Sequence, residues 1–204
     1  MILTKQHILE QQSQGNIHIH PFDPDMVSVN SVDVRLGPDM FDLHRDRNRV
    51  RDLFAAPREG WGRMRPDPPP EGHSLSPEAK GFLLRSGGFY LGTTLEEIGT
   101  RVPTPGQLAI VPKMHAKSTT GRLGLTVALC AGVGDVGYHS RWALEIRVVD
   151  HGDVFLPIGT VLAQVVFFYA TRCFEGYGGE ENYQKSPSEP VARFLPKPLK
   201  YKVP

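Results

Sequence analysis

The chain has 204 residues, 40% of them hydrophobic, which is enough for one compact core and excludes a large multidomain assembly. Its 23 basic and 22 acidic residues leave a formal charge of +1, so neither nucleic acid nor an anionic membrane is an expected partner. Two cysteines and no apolar window long enough to span a bilayer exclude a disulfide scaffold and favour a soluble, cytoplasmic protein.

The first predicted element is a short amphipathic helix over residues 4–14. Ile8 and Leu9 are its apolar positions among polar neighbours. Thr4 stands where an N-cap is needed, and Gly15 is placed to end the helix.

A short edge strand follows, because residues 17–20 alternate apolar residues with histidines and Pro21 ends the pattern. Period two puts His18 and His20 on one face of this strand. Two histidines without a nearby third ligand do not make a zinc site, so the sequence disfavours a metal there.

Residues 31–37 alternate apolar and charged side chains, which predicts a half-buried strand. Residues 44–76 are rich in Arg, Asp, Pro and Gly and predict a surface excursion, either an arm or a loop. Interleaved acids favour a solvated surface, but a phosphate grip stays open for its arginines, which are Arg45, Arg47, Arg49, Arg51, Arg58, Arg63 and Arg65.

From residue 81 onward the chain repeats short strand patterns separated by Gly or Pro. This spacing, with no long helical pattern, predicts a mainly β fold built as an antiparallel sandwich, barrel or jelly roll. The predicted strands are 82–84, 89–91, 108–111, 126–129, 142–149, 154–156 and 161–169.

Residues 117–124 pack two cations, three hydroxyls and two glycines into eight positions. A turn of this composition can present backbone N–H groups, hydroxyls and positive charge to a phosphate chain. The order of residues is not that of a Walker loop. Taken alone, the composition slightly favours a plain polar hairpin turn.

Residues 131–138 form a second glycine-rich turn, with Asp135 and Tyr138 three positions apart. The acid can accept a hydrogen bond from a sugar hydroxyl, and the ring can pack against the sugar. A hairpin corner is the alternative, since Gly and Asp are common in turns.

In residues 142–149, period two puts Glu145 and Arg147 on the face opposite Trp142, Leu144 and Ile146. Taken alone, Glu145 is then a solvent-facing partner of Arg147 or a catalytic acid. Only a surrounding site would favour the second interpretation.

Taken together, these stretches resemble the dCTP deaminase branch of the trimeric dUTPase superfamily, from about Met1 to Ser186, with residues 187–204 left as a C-terminal tail. The matching segments, in chain order, are S-V-D-V-R-L-G, G-F-Y-L-G-T-T-L-E-E, K-S-T-T-G-R-L-G-L, A-G-V-G-D-V-G-Y followed by L-E-I, G-T-V-L-A-Q-V-V-F and N-Y-Q-K-S.

The resemblance implies a distorted β-barrel or jelly-roll subunit of the dUTPase type, and a homotrimer with active sites between subunits. It also implies dCTP and dUTP as ligands, with dTTP as an inhibitor, and Mg²⁺ carried on the triphosphate. Zinc deaminases use H-x-E with P-C-x-x-C, a pattern that this chain lacks, so no zinc is expected in the chemistry.

The resemblance also implies roles for individual residues. Glu145 activates water for attack at cytosine C4 and shuttles protons, and the carbonyl of Ala131 helps hold that water. Ser118 and Arg122 contact phosphate and organise the catalytic site. The remaining substrate-binding positions are Lys117, Thr119, Tyr183, Asp135 at the 3′-hydroxyl, Tyr138 on the deoxyribose, and Gln164, Tyr177 and Gln184 at the phosphates.

Three departures from the family pattern bear on the product. Lys117 replaces a usual arginine and keeps only the charge. Gly132 and Val133 replace a His-Arg pair and resemble bifunctional members that cleave dUTP to dUMP and pyrophosphate. Gly134 replaces a usual isoleucine, which predicts a looser base pocket.

The sequence analysis therefore favours hydrolytic deamination of dCTP to dUTP and ammonia. Two alternatives stay open. One is a bifunctional enzyme that gives dUMP and pyrophosphate, and the other is a non-catalytic nucleotide-binding trimer.

Overall fold

The computed structural model describes residues 1–43, 52, 60–128, 132–149, 152–171 and 176. The two helices of this part are α1 (Lys5–Ser13) and α2 (Ser118–Arg122), and a 3₁₀ turn lies at Pro24–Met26, between β1 and β2. The strands are β1 (Ile17–His20), β2 (Val32–Leu43), β3 (Trp61–Arg63), β4 (Gly81–Leu84), β5 (Phe89–Thr100), β6 (Ala109–Ala116), β7 (Leu125–Val127), β8 (His139–Val148), β9 (Val154–Pro157) and β10 (Val161–Ala170). The mainly β prediction is confirmed. Within the described residues, neither helix is long and apolar enough to cross a membrane.

One eight-stranded antiparallel sheet forms most of the molecule, in the order β6-β10-β2-β5-β8-β7, with β1 added on β5 and β3 on β2. Strands β4 and β9 form a separate pair. Residues 117–124, which contain α2, connect β6 at one end of this order to β7 at the other. So short a connection requires the sheet to curl until its ends approach, which gives a nearly closed, distorted barrel.

The barrel interior is filled by alternate residues of each strand. On β8, Leu144, Ile146 and Val148 are fully buried, and they share one core with Leu36 of β2 and Phe167 of β10. Burying each such side chain contributes about 1.5–3 kcal/mol. The odd-numbered residues of β8 therefore point to the outer face of the sheet.

Helix α1 confirms the first predicted element and closes one side of the core. Ile8 is fully buried within the main apolar cluster, and Leu9 packs against it. Thr4 occupies the N-cap position, but its hydroxyl lies 3.0 Å from His7 Nδ1 and makes no capping hydrogen bond to the backbone. Gly15, with φ of +71°, takes the left-handed conformation that ends the helix.

The structure differs from the sequence prediction at two places. Residues 118–122 form the short helix α2, whereas the composition of 117–124 suggested a turn. Residues 61–63, inside the predicted surface excursion, form strand β3 against β2. Arg63 of this strand is held by Asp39, with Nη2 2.8 Å from Oδ1. The other arginines that lie at 45–58, like the tail 187–204, fall outside the described residues.

Candidate active site

Glu145 lies on the outer face of β8, as the alternation predicted. Its cross-strand partner on β5 is Leu91, and the partner of Leu91 on β2 is Phe41. Leu91 and Phe41 are each only 7% exposed, and Trp61 of β3 packs over them. The carboxylate is thus half-buried at the margin of an apolar patch, which is the setting a proton-transferring acid requires.

The competing interpretation, a surface ion pair with Arg147, is wrong. Arg147 is exposed and forms no ion pair with any carboxylate in the described part of the chain. Arg147 is therefore not the partner of Glu145, whose cross-strand neighbour on β5 is Leu91.

The backbone beside Glu145 has an unusual conformation. Its carbonyl accepts a hydrogen bond from the N–H of Ala128, at 3.1 Å. Ala128 has φ of +55°, a left-handed conformation that costs a non-glycine residue about 1–2 kcal/mol. Strain of this kind is concentrated at functional sites. Ala131, three positions further along the chain, lies outside the described residues.

Helix α2 carries the second group of predicted residues. Its buried residue, Thr120, donates from Oγ1 to the carbonyl of Leu162 at 3.0 Å, and the N–H of Lys117 donates to the same carbonyl at 3.2 Å. With the helix anchored in this way, Ser118, Thr119 and Arg122 are exposed. Within the described residues Arg122 has no carboxylate partner, so its charge is available to an anionic ligand.

Lys117 and Gln164 each lie beside Asp33, an acid that the sequence analysis did not assign to the site. Lys117 Nζ is 2.5 Å from Asp33 Oδ2, and Asp33 is the cross-strand partner of Gln164. Gln164 Oε1 in turn accepts a hydrogen bond from Ser31 Oγ at 3.3 Å. Ser31 and Asp33 both belong to segment 31–37, which the sequence analysis matched to the family. That match was the signal in the sequence that could have pointed to these two residues.

Residues 132–138 form the third group, held by backbone hydrogen bonds against β6. The carbonyl of Gly132 accepts from Met114 N–H at 2.6 Å, and the N–H of Gly134 donates to the carbonyl of Pro112 at 2.9 Å. A Cβ at position 132 would lie 2.7 Å from the Met114 carbonyl oxygen. Glycine is therefore needed at 132 for the backbones to approach this closely.

The prediction that Gly134 loosens the base pocket is wrong. Gly134 is buried, and a Cβ there would lie 2.4 Å from Trp142 Cζ2 and 3.0 Å from Pro112 Cγ. The indole of Trp142 fills the volume that a larger residue at 134 would occupy. Its Nε1 also donates to the carbonyl of Ile98 at 3.1 Å, which fixes the ring in that position.

Asp135 and Tyr138 end this segment together. The N–H of Tyr138 donates to the carbonyl of Asp135 at 3.1 Å, which closes a turn. Asp135 is exposed, and Tyr138 is half-buried with its ring 6.0 Å from that of Trp142 at an interplanar angle of 67°. The turn therefore offers one carboxylate and one supported aromatic ring to a ligand.

The described residues thus place the predicted positions in three groups. Strand β7 links two of them, because it follows α2 and pairs with β8 at Val127 and Ile146, next to Glu145. Four predicted site residues lie outside the described part of the chain and are not placed: Ala131, Tyr177, Tyr183 and Gln184.

Comparison with known proteins shows the family of the chain. A family model described as dCTP deaminase-like matches residues 2–170. The chain belongs to this family. Relatives of the dCTP deaminase-like chain include proteins named "dCTP deaminase, dUMP-forming" from two bacteria. That of Leptospira biflexa serovar Patoc (strain Patoc 1 / Ames) is 33% identical over 148 residues, 72% of this chain and 71% of its own length.

The second relative, from Bifidobacterium adolescentis, is 31% identical over 168 residues, 82% of this chain and 79% of its own length. Among solved structures, 2′-deoxycytidine 5′-triphosphate deaminase from Agrobacterium tumefaciens matches with a TM-score of 0.54 and 19% identity. The match covers 81% of this chain and 47% of that one. It confirms the barrel fold expected from the resemblance.

Proposed function

We propose that this protein deaminates dCTP hydrolytically and then cleaves the triphosphate, releasing dUMP, ammonia and pyrophosphate. The observation that carries the proposal is the half-buried Glu145 on the outer face of β8, beside Leu91 and Phe41. Membership of the dCTP deaminase-like family supports the same substrate.

In the proposed deamination, Glu145 takes a proton from water as the water oxygen bonds to cytosine C4. That proton is delivered to N3, and a second proton from the water goes to the amino group, which leaves as ammonia when the C4–N4 bond breaks. Positioned proton transfer of this kind contributes about 10²–10⁴-fold to the rate. Arg122 is the cation expected to organise the site, together with Ser118.

Helix α2, the residue before it and strand β10 are proposed to bind the triphosphate through Lys117, Ser118, Thr119 and Gln164. Mg²⁺ is expected to arrive as the dCTP complex, bound by phosphate oxygens. Near α2 the described residues offer Asp33, which is already paired with Lys117, and no group of three metal-ligating side chains.

Asp135 and Tyr138 are proposed to bind the deoxyribose, the acid at the 3′-hydroxyl and the ring against the sugar. The homotrimer, with each site completed by a neighbouring subunit, is part of the same proposal, as is inhibition by dTTP. Zinc is not expected in the deamination chemistry, and neither a nucleic-acid partner nor a membrane partner is expected.

The product is the finer part of the proposal. The sequence analysis favoured dUTP release and kept dUMP as the alternative because of Gly132. Relatives at 33% and 31% identity are named as dUMP-forming, which supports the bifunctional alternative. The final cleavage adds a second water to dUTP and breaks the bond between the α- and β-phosphates.

Incubating the purified protein with dCTP and Mg²⁺, and resolving the nucleotides over time, tests the product. We expect dUMP, pyrophosphate and ammonia in equal amounts. Accumulation of dUTP would contradict the second cleavage and support the simple deaminase. Cleavage of added dUTP without ammonia from dCTP would indicate a plain dUTPase.

Glu145→Gln tests the chemical role, because it keeps the shape of the side chain and removes its basicity. We expect deamination to fall by about 10²–10⁴-fold, with dCTP binding by calorimetry and the mass of the assembly unchanged. Binding of dCTP by the unmodified protein with no ammonia released would favour the non-catalytic nucleotide-binding protein.

A further inference from the structure

Three strands bring two histidines and a glutamate together at the end of β8 away from Glu145. On β1, His18 is the cross-strand partner of Gly99 on β5, and Gly99 is the partner of His139 on β8. Glu97 lies two positions before Gly99 on the same face of β5. Because Gly99 has no side chain, the two imidazole rings meet directly across it.

The geometry of this cluster is that of a preformed ligand set. One ligating atom from each of the three side chains lies within 4.8 Å of the others. The imidazole centroids are 3.9 Å apart, and His139 Nε2 is 3.9 Å from Glu97 Oε2. That nitrogen is shielded from solvent and makes no hydrogen bond within the described residues. His139 Nε2 is therefore a buried polar atom that faces the Glu97 carboxylate at a distance too long for a hydrogen bond.

We propose that His18, Glu97 and His139 bind one divalent transition-metal ion of the zinc class. Zn²⁺ binds imidazole and carboxylate at about 2.0–2.2 Å, so its ligand atoms lie about 3.4 Å apart in a tetrahedral site. Side-chain rotations that move the ligating atoms by about 1 Å bring the present cluster to that spacing. Three protein ligands leave a fourth position for water.

Each residue of the cluster can bind a cation through a lone pair, Glu97 through a carboxylate oxygen and the two histidines through neutral imidazole nitrogens. The other ionisable groups facing Glu97 are His20 on β1 and Arg141 on β8, its two cross-strand partners.

Among the described groups that face Glu97, Arg141 is the cation, and Asp39 lies near it, with Oδ2 3.8 Å from Arg141 Nη1. Two nitrogen ligands and one oxygen ligand favour Zn²⁺ and Co²⁺ over Mg²⁺ and Ca²⁺, which prefer oxygen alone. The sequence analysis disfavoured a metal because His18 and His20 were the only candidate ligands recognised on β1. The two additional ligands come from strands about 80 and 120 residues further along the chain, which only the sheet register reveals.

The proposed ion is structural rather than catalytic. His139 and Glu145 are six positions apart on β8, which is about 20 Å at roughly 3.3 Å per residue. Strand β1 pairs only with β5 among the described strands, so a metal shared by three strands would fasten β1, and with it α1, to β8. This inference is independent of the proposed deamination, since no step of that chemistry uses the three residues.

The experiment titrates chelator-treated full-length protein with Zn²⁺, Co²⁺ and Mg²⁺ by calorimetry, and follows Co²⁺ also by visible absorption. We expect one Zn²⁺ per chain, a low-coordinate Co²⁺ spectrum, no binding of Mg²⁺ without nucleotide, and a rise in Tm on the order of 5 °C at saturating Zn²⁺. His18→Ala and Glu97→Gln should each weaken Zn²⁺ binding by more than about 10-fold.

The matched control is His7→Ala, which removes an exposed histidine from α1 and leaves the cluster intact. Its Zn²⁺ affinity should equal that of the unmodified protein. Zn²⁺ binding that is unchanged in both cluster variants would overturn the proposal, as would the absence of binding or equal binding of Mg²⁺. Glu97→Gln keeps the size of the side chain, so the test does not depend on how well His18→Ala folds.

Discussion

Two loop segments that both resemble ligand-binding turns in sequence, 117–124 and 132–138, are constructed in opposite ways. The first contains α2, anchored by buried Thr120, and its polar side chains at 118, 119 and 122 are exposed. The second is pressed against β6 and Trp142 by its backbone, with glycines at 132 and 134 where a Cβ would clash.

The difference separates two ways of making a site. Segment 117–124 offers side chains, so substitutions at its exposed positions should change ligand binding and leave stability nearly unchanged. Segment 132–138 offers backbone shape, so substitution of its glycines should cost stability before it alters any contact with substrate. Four substitutions test this contrast, from the largest expected effect to the smallest.

Arg122→Ala should have the largest effect. Removing one preorganised donor from a site that stabilises developing charge typically costs about 10²–10³-fold in rate. We expect a loss of that size in kcat/KM for dCTP, with the free energy of unfolding within about 0.5 kcal/mol of the unmodified protein. Steady-state kinetics and urea denaturation measure the two quantities.

Arg65→Ala is the matched control for Arg122→Ala, because Arg65 is also exposed but lies in the Arg-rich excursion. Its kcat/KM should stay within about twofold of the unmodified value, as is usual for surface substitutions away from a site. Equal losses in both variants would assign phosphate binding to the excursion, and a large loss of stability in Arg122→Ala would contradict the contrast between the segments.

Gly134→Ala should have the next largest effect, and it acts on folding. The added methyl would lie 2.4 Å from Trp142 Cζ2, and overpacking of this kind typically costs about 1–3 kcal/mol. Trp142→Phe removes the clashing atoms of the indole, so the double variant should recover part of the loss. A double-mutant cycle by urea denaturation measures this coupling.

Additive effects at 134 and 142 would show that Trp142 does not occupy the space beside Gly134. Trp142→Phe alone also removes the hydrogen bond to the Ile98 carbonyl and leaves a smaller ring. Its own cost is therefore expected to be of similar size, and only the coupling term decides the question.

The contrast explains what the sequence could and could not predict. Alternation was sufficient to place Glu145 opposite Leu144 and Ile146, because a strand with one buried face has a strict period of two. Helix α2 was missed because five residues with two threonines and a glycine carry no helical periodicity. The packing of Gly134 on Trp142 was missed because it depends on the path of the chain through three dimensions, which neither residue encodes alone.

Lys117, Gln164 and Asp33 give a second example of a contact that the sequence alone does not predict. Lys117 and Gln164 were both predicted as ligands, but the ion pair of Lys117 with Asp33 depends on the pairing of β2 with β10. The family resemblance included Asp33 in a matching segment without giving it a role. The register between strands shows its pairing with Lys117 and Gln164.

Lys117→Met should raise the KM for dCTP by about 10-fold, an effect of about 1.4 kcal/mol, with kcat less affected. The variant removes one cation and leaves the Asp33 carboxylate unpaired beside the triphosphate. If that repulsion contributes, Lys117→Met with Asp33→Asn should bind dCTP more tightly than Lys117→Met alone. A higher KM for the double variant than for Lys117→Met alone would show that the Asp33 carboxylate does not repel the triphosphate.

Ala128→Gly should have the smallest effect. It is the opposite change to Gly134→Ala, because it removes a methyl group from a position with a left-handed backbone. Glycine relieves the left-handed strain at φ of +55°, worth about 1–2 kcal/mol, but it also adds about 0.5–1 kcal/mol of backbone entropy to the unfolded chain. Ala128 also packs against the core, so removing its methyl group loses some hydrophobic burial, which likewise opposes the gain from relieving the strain. We therefore expect a net change in the free energy of unfolding within about 0.5 kcal/mol. A loss above about 1 kcal/mol by urea denaturation would mean that packing of the Ala128 methyl, rather than local strain, governs the bend beside Glu145.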